Sequence, residues 1–235
     1  MKEFIKNELS GWKWWEALWL FAGIGIVVCA SVMFHSPPVR IVQAVCGVTS
    51  VILMGKGKPL GFLFGAANAF LYSWVSWQVP YYVEVALNML YYVPANIAGF
   101  FTWRKNMNAE SLEVVKKRMS PGKAFAVYAG TLAAIFAFGF ALKLIRGSLP
   151  FVDATSTVVA IVAIVLGVKR YSETWFFWIG SNAVSVIMWV YQVNTGGDMV
   201  NLPVVLMWSV FTANSVISCI RWQREAKRNE QKIKE

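Results

Sequence analysis

Apolar runs of about 20 residues, separated by short and mostly basic links, leave this chain very few folds. A helix of that length is what crosses the hydrocarbon core of a bilayer. Eight such runs can be drawn: 15–34, 37–54, 60–77, 80–102, 124–145, 150–168, 174–193 and 200–220. Few charges stand within them or at their ends: Glu16, Arg40, Glu84, Lys143 and Asp153. Lipid offers no partner to an open backbone amide or carbonyl, so each run is expected to be an α-helix. None shows the strict alternation that a membrane barrel strand needs. Composition points the same way. Hydrophobic residues make up 57% and charged residues 14%, against roughly 25% charged in an ordinary soluble domain. A disordered chain, a coiled coil and a soluble single-domain enzyme are thereby excluded.

The net charge of +10 suggests a nucleic-acid partner until the charges are placed. All but Arg40, Lys143 and Arg146 of the 22 Lys and Arg fall in the two termini and the second, fourth and sixth connections. These segments lie on one side of an eight-span chain. The positive-inside rule then sets both termini in the cytoplasm and makes nucleic acid unnecessary. Residues before the first span read as part of an uncleaved anchor rather than a signal peptide. Phe4, Ile5, Leu9 and Trp12 suit a short interfacial helix, and a solvated tail is the plainer alternative. One histidine, His35, and three scattered cysteines, Cys29, Cys46 and Cys219, give neither a multi-His metal site nor a disulfide framework. No P-loop and no nucleophile constellation is found, so no cofactor, no metal and no enzyme activity is expected.

The chain also repeats itself. Ile52-Leu53-Met54-Gly55-Lys56-Gly57-Lys58 resembles Ile164-Val165-Leu166-Gly167-Val168-Lys169-Arg170. Asn68-Ala69 followed by Gln78-Val79 matches Asn182-Ala183 followed by Gln192-Val193, and Ala95-Asn96 matches Ala213-Asn214. Trp103-Arg104 and Arg221-Trp222 end the two copies on the basic side. A three-helix unit is odd, and span five between the copies restores its orientation. The expected fold is an all-α polytopic membrane protein. Residues 1–36 form an N-terminal interfacial segment and an extra transmembrane helix, and 37–105 a first three-helix bundle. Residues 106–147 form a cytoplasmic loop and linker helix, 148–222 a second bundle parallel to the first, and 223–235 a basic cytoplasmic tail. Parallel repeats of this kind are a transporter architecture, with the substrate held between them near mid-membrane.

Polar groups at membrane depth are costly and mark function first. Glu84, Asn88 and Tyr91 share one helical face. Trp175, Trp178 and Asn182 share another, with Glu173 at its start. Asn68 and Tyr72 are the repeat-related pair in span three, and Asp153 stands with Thr157 in span six. Flat indole walls, amides and carboxylates suit a planar, cationic heteroaromatic ring joined to a polyol. The set lacks the arginine cluster a phosphate would require. Other polar and aromatic groups have simpler readings. Trp103 and Trp222 are read as interfacial belt residues, Asn68 and Asn182 equally as helix–helix glue, and Asn96 and Asn214 as structural. Glu173 could pair with Lys169 or Arg170. The small-residue stripe Gly57, Gly61, Gly65, Ala69, Ser73 reads as tight packing or a sliding surface, and Pro94 and Pro203 as kinks within spans.

Glu173-Thr174-Trp175-Phe176-Phe177-Trp178, followed by Asn182, resembles the E-x-W-x-x-W-x-x-x-N signature of the PnuC family of transporters. Asp153-Ala154 is similar to the family's D-A element. Glu84, Asn88 and Tyr91, with Trp103 at the helix end, resemble its E-x-x-x-Q-x-x-Y span, with Asn88 where many members have Gln. The likeness runs over residues 37–224. It implies a three-plus-one-plus-three fold like that of the full-length SWEET transporters. It also implies uptake of nicotinamide riboside across a bacterial inner membrane by facilitated diffusion, with trapping by a cytoplasmic riboside kinase. The expected substrate-binding residues are Trp178, Trp175, Asn182, Asn68, Asn88, Glu84, Tyr91, Asp153 and Tyr72. Thiamine, riboflavin or a sugar is the alternative cargo, and an intramembrane enzyme or transporter subunit the rival class. The expected partners are the small-molecule substrate and the lipid bilayer; a homo-oligomer is one of the assembly states left open.

Overall fold

The computed structural model describes residues 2–78, 82–144, 150–196 and 202–234. They form α1 (Lys2–Leu9), α2 (Trp14–Met33), α3 (Pro38–Lys56), α4 (Leu60–Gln78), α5 (Tyr82–Leu87), α6 (Val93–Arg104), α7 (Pro121–Leu144), α8 (Pro150–Val168), α9 (Thr174–Gly196) and α10 (Leu202–Lys234), with a π-helical turn at Asn88–Tyr92. No strand occurs among the described residues; the α6–α7 link makes only the bridges Met107–Val114 and Lys117–Tyr171. By length and composition, α2, α3, α7, α8 and α10 are able to cross a membrane. The other expected spans are the ones enriched in polar groups and tryptophan. α4 carries Asn68, Tyr72, Ser73 and Gln78, and α9 carries Trp175, Trp178, Ser181 and Asn182.

Local chemistry explains where helices bend and stop. The run expected as one span over 80–102 is α5, the π turn and α6, with Pro94 in the first turn of α6. Proline lacks an amide and its ring presses on the carbonyl four residues back, and the wider turn just upstream absorbs both demands. Pro203, expected to kink a span, instead occupies the second residue of α10, where its missing amide costs nothing. The tail expected over 223–235 continues α10 as helix to Lys234.

α4 packs on α3 and on α6, and α9 packs on α8 and on α10. Across these two sets, α3 meets α10 and α6 meets α8. α2 lies against α3 and α10, and α7 against α8. The small-residue stripe serves close packing. A Cβ on Gly61 would stand 2.8 Å from the Met54 nitrogen and 2.9 Å from the Ser50 carbonyl oxygen of α3. α2 fits its two neighbours through Gly23, where a Cβ would reach Val48 and Ile52 of α3 and Val210 of α10. Val27, Ala44, Val48, Ile52 and Val210 form the core there.

One end of the bundle gathers the basic residues. α3 stops at Gly57, whose φ of 87° is left-handed and returns the Lys58 amide to the Leu53 carbonyl at 2.9 Å. The α8–α9 turn repeats this with Arg170 at φ 67°, and the Tyr171 amide bonds the Leu166 carbonyl at 2.9 Å. Beside the first turn lies a six-membered ionic network. Lys56 bonds Glu16 (2.6 Å) and Glu113 (3.2 Å), and Lys116 bonds Glu113 (2.7 Å) and Glu225. Arg221 bonds Glu16, Glu113 and Glu225. Three carboxylates thus face three cations, and Lys56 and Lys116 are themselves buried. Charges so desolvated persist only where geometry and pairing are good.

α1 is a helix docked on the protein, not a solvated tail. Lys58, fully buried at 0% exposure, donates to the Asn7 carbonyl at 2.6 Å, and the Leu60 amide donates to Glu8 at 3.2 Å. Phe4 meets Phe100 edge-on, and Arg104 lies over the Phe4 ring. Phe4 is thereby packed on the protein, while Ile5 and Leu9 of the same helix stay exposed.

Burial works to raise the Glu113 carboxyl, but Lys116, Arg221 and Lys56 outweigh it and hold it below the ordinary carboxylate range. A depressed carboxylate contributes stability above its unfolded pKa, and that stability is lost as pH falls through the folded value. Glu113→Gln should cost about 3–5 kcal/mol, because it strands buried cations, and should flatten the acid limb of the unfolding midpoint measured in detergent. Gly61→Ala should cost about 1–3 kcal/mol by overpacking α3 against α4, read as a lower thermal midpoint.

Candidate functional site

α9 carries the aromatic and amide residues, and its start is firmly set. The Thr174 hydroxyl donates to the Ala163 carbonyl of α8 at 2.7 Å, and the Met119 amide donates to the buried Glu173 carboxylate at 3.0 Å. Glu173 also accepts from Ser172. Its carboxylate is thus engaged by a backbone amide and a hydroxyl; the pairing expected with Lys169 or Arg170 is not what holds it.

From that start the helix presents Trp175 to an aromatic layer. Trp175 is 3% exposed and packs edge-on against Trp222 at 5.7 Å, within a cluster of Phe62, Phe100, Trp103, Val114 and Cys219. Its indole N–H has no acceptor. Trp178, one turn on, is partly buried and packs between this layer and a second cluster of Met119, Ala163, Leu166 and Phe177. One turn further, the buried Asn182 donates to the Ser215 hydroxyl of α10 at 3.0 Å. Asn68 of α4 reaches toward α3. Its amide oxygen and the Phe211 ring both lie 3.2 Å from the place a Cβ on Gly47 would take.

The π turn serves the α6–α8 contact. The Tyr91 hydroxyl donates to the Ile161 carbonyl at 2.8 Å, and Asn88 is buried one turn before it. Other expected site residues lie further out. Asp153 is exposed in the first turn of α8, where its backbone carbonyl accepts from Ser156. Tyr72 is 37% exposed on α4. The side chain of Glu84 lies outside the described residues. Trp175, Trp178 and Asn182 are therefore linked through α10 and the aromatic layer, Asn68 lies beside Gly47 of α3, and Tyr91 sits at the contact with α8.

Two residues were misread from sequence. Trp103 and Trp222 are not belt residues, being 1% and 0% exposed. The Trp103 indole donates to the Gly167 carbonyl of α8, and the Trp222 indole donates to the Gly55 carbonyl of α3, each at 2.9 Å. The last carbonyls of a helix lack the usual intrahelical donor; Trp222 supplies an indole N–H to Gly55 across the α3–α10 contact, and Trp103 supplies one across α6–α8 to Gly167, whose carbonyl also accepts from the Arg170 amide at 2.8 Å. The internal repeat already paired Gly55 with Gly167 and Trp103-Arg104 with Arg221-Trp222, so the signal was present. Asn96 and Asn214 have backbone roles: Asn96 donates to the Tyr92 carbonyl and Asn214 to the Val51 carbonyl, each at 2.8 Å. Trp222→Phe should leave the Gly55 carbonyl buried without this donor, costing about 1–3 kcal/mol; Trp103→Phe should cost less in thermal unfolding, because the Gly167 carbonyl keeps the Arg170 amide at 2.8 Å.

The chain is similar to known transporters. A profile described as nicotinamide mononucleotide transporter matches residues 37–224. A nicotinamide riboside transporter PnuC of Neisseria mucosa is 35% identical over 229 residues, 95% of this chain and 87% of that protein. The PnuC of Haemophilus influenzae is 28% identical, covering 95% and 96% of the two chains. A crystal structure of the vitamin B3 transporter PnuC superposes with a TM-score of 0.83 at 34% identity, over 96% of this chain and 98% of that one. With the signature tryptophans and Asn182 gathered on one helix, and four-fifths of the sequence matched, the chain belongs to the nicotinamide mononucleotide transporter family.

Proposed function

We propose that this chain is a bacterial membrane transporter that carries nicotinamide riboside. The observation that carries the reading is the α9 series Trp175, Trp178, Asn182, in a chain whose relatives bear that substrate's name. Trp178, only partly buried between two packed clusters, is the indole free to offer a face to a pyridinium, a contact worth about 2 kcal/mol when desolvated. Asn182, Asn68 and Asn88 supply amide hydrogen bonds for a carboxamide or ribose, with Tyr91, Tyr72, Trp175, Asp153 and Glu84 completing the path. The family profile's name speaks of a mononucleotide. None of the candidate residues is cationic, which favours the unphosphorylated riboside.

In this reading eight helical spans cross the inner membrane. Residues 37–105 and 148–222 form parallel three-helix bundles, joined by the loop and linker helix over 106–147 and preceded by the extra helix over 1–36. The reciprocal bonds from Trp103 to Gly167 and from Trp222 to Gly55 support a pseudo-two-fold pair. The crowding of Lys and Arg at one end supports a cytoplasmic location for that end, both termini and the tail over 223–235. Transport is facilitated diffusion by alternating access, drawn inward by phosphorylation of the arriving riboside. Purified protein in liposomes should take up labelled nicotinamide riboside, with excess unlabelled riboside competing and mononucleotide, thiamine and glucose competing at least tenfold less well. Calorimetry should show at least about tenfold weaker riboside binding for Trp178→Ala. Equal competition by glucose would remove the substrate assignment.

A further inference from the structure

The two contacts between the halves are built from the same parts, yet they are not held alike. At α3–α10 the helices approach so closely that a Cβ on Gly55 would collide with the Ser218 hydroxyl, and one on Gly47 would meet Phe211 at 3.2 Å. α2 spans this seam through Gly23, and its Trp19 donates to Asn214, which in turn bonds the Val51 carbonyl. At the basic end, the network of Glu16, Lys56, Glu113, Lys116, Arg221 and Glu225 draws α2, α3, α10 and the α6–α7 link into one neutral cluster. Lys116 also lies 5.5 Å from the Trp222 ring, over the indole bonded to Gly55.

At the α6–α8 seam the ties at the basic end run through the link, where the Lys117 amide donates to the Arg170 carbonyl at 2.9 Å and the Ser172 amide to the Lys117 carbonyl at 2.8 Å, and between the two helices themselves there is less. Trp103 bonds Gly167 and Tyr91 bonds Ile161. Around Gly167, a Cβ would find only the Thr174 hydroxyl of its own half within 4 Å. No ion pair among the described residues joins α6 to α8. The turn just beyond Gly167 holds Arg170 in a left-handed conformation, with its buried Nε unpartnered and one guanidinium nitrogen on the Val115 carbonyl at a long 3.3 Å. A left-handed arginine and an unpaired buried donor are both unfavourable, and both stand at this seam's end.

We infer that α3–α10, clamped by α2 and the ionic network, is a fixed hinge, and that α6–α8 is the seam that parts at the basic end to let solute through. This rests on the transport reading. It predicts one opening rather than a symmetric rocking of both seams. The motion separates Trp103 from Gly167 and leaves Trp222 on Gly55.

The test uses the full chain with Cys29, Cys46 and Cys219 replaced by alanine. Spin labels are placed on the exposed pair Lys105→Cys and Lys169→Cys across α6–α8, and on the exposed pair Lys13→Cys and Arg224→Cys across the α2–α10 part of the hinge. In lipid nanodiscs, with and without nicotinamide riboside, the first pair should give two resolved distance populations and the second a single narrow one. A single narrow population at 105–169, or two populations at 13–224, overturns the inference. A second arm needs no label. A Cβ at Gly55 would stand 3.3 Å from the Ser218 Cβ, close to disulfide spacing. Oxidised Gly55→Cys/Ser218→Cys should keep at least half the uptake of its reduced form in liposomes; loss of uptake on oxidation, regained on reduction, overturns the hinge. The distance measurement needs no solute. A chain that parts at 105–169 but moves no riboside would refute the substrate reading and uphold the hinge.

Discussion

A helix that ends inside a bundle leaves carbonyls without amides, and in an apolar surrounding each such group costs several kcal/mol unless something donates to it. The interior of this protein is organised around that demand. α3 and α8 both stop where the two halves converge. Each ending has a left-handed residue in its turn and a tryptophan from across the helix contact, Trp222 as the donor to Gly55 and Trp103 as a second donor to Gly167 beside the Arg170 amide. These indoles, with Trp175 and Phe62, make the layer on which the candidate site rests. Trp178 takes its position by packing on that layer, and Asn182 by reaching α10 one turn later.

The charges answer the same constraint differently. Lys56, Lys58 and Lys116 stand at or near helix ends, where solvent would be the ordinary partner of a lysine, but all three are buried. Glu16, Glu113, Glu225, and the carbonyls of Asn7 and Leu112 replace the water they lose. The partners come from α1, α2, the α6–α7 link and α10, so pairing the charges also assembles segments distant in sequence. A charge cluster that is neutral and enclosed tolerates little displacement, since removing one member strands the rest. It therefore fixes geometry more than it adds net stability, and it does so at only one of the two seams.

Much of this was legible beforehand. Apolar run lengths gave the helices nearly to the residue, as for α4 and α8, because lipid permits almost no other local structure. The repeat located Gly55, Gly167, Trp103 and Trp222, and the signature located Trp175, Trp178 and Asn182. What those residues do was less legible. Trp103 and Trp222 look like belt residues because a tryptophan beside basic residues at a helix end is usually that. Only their burial and their carbonyl partners distinguish a latch from a lipid anchor. Pro203 looks internal to a span until the start of α10 is known. α1 looks free until Lys58 and Phe100 are seen beneath it.

The sequence by itself determined that the chain is helical, lies in a membrane, carries its positive charge at one end and belongs with carriers of a vitamin nucleoside. These follow from properties summed over many residues, namely hydrophobic length, charge position and a motif on one helix. Tertiary structure decided which tryptophans are structural, which residue of α10 Asn182 reaches, and where the ionic network closes. Those depend on pairings between residues up to 205 positions apart, such as Arg221 with Glu16. A side chain's partner across such a distance is set by how helices pack, and nothing local in the chain encodes it.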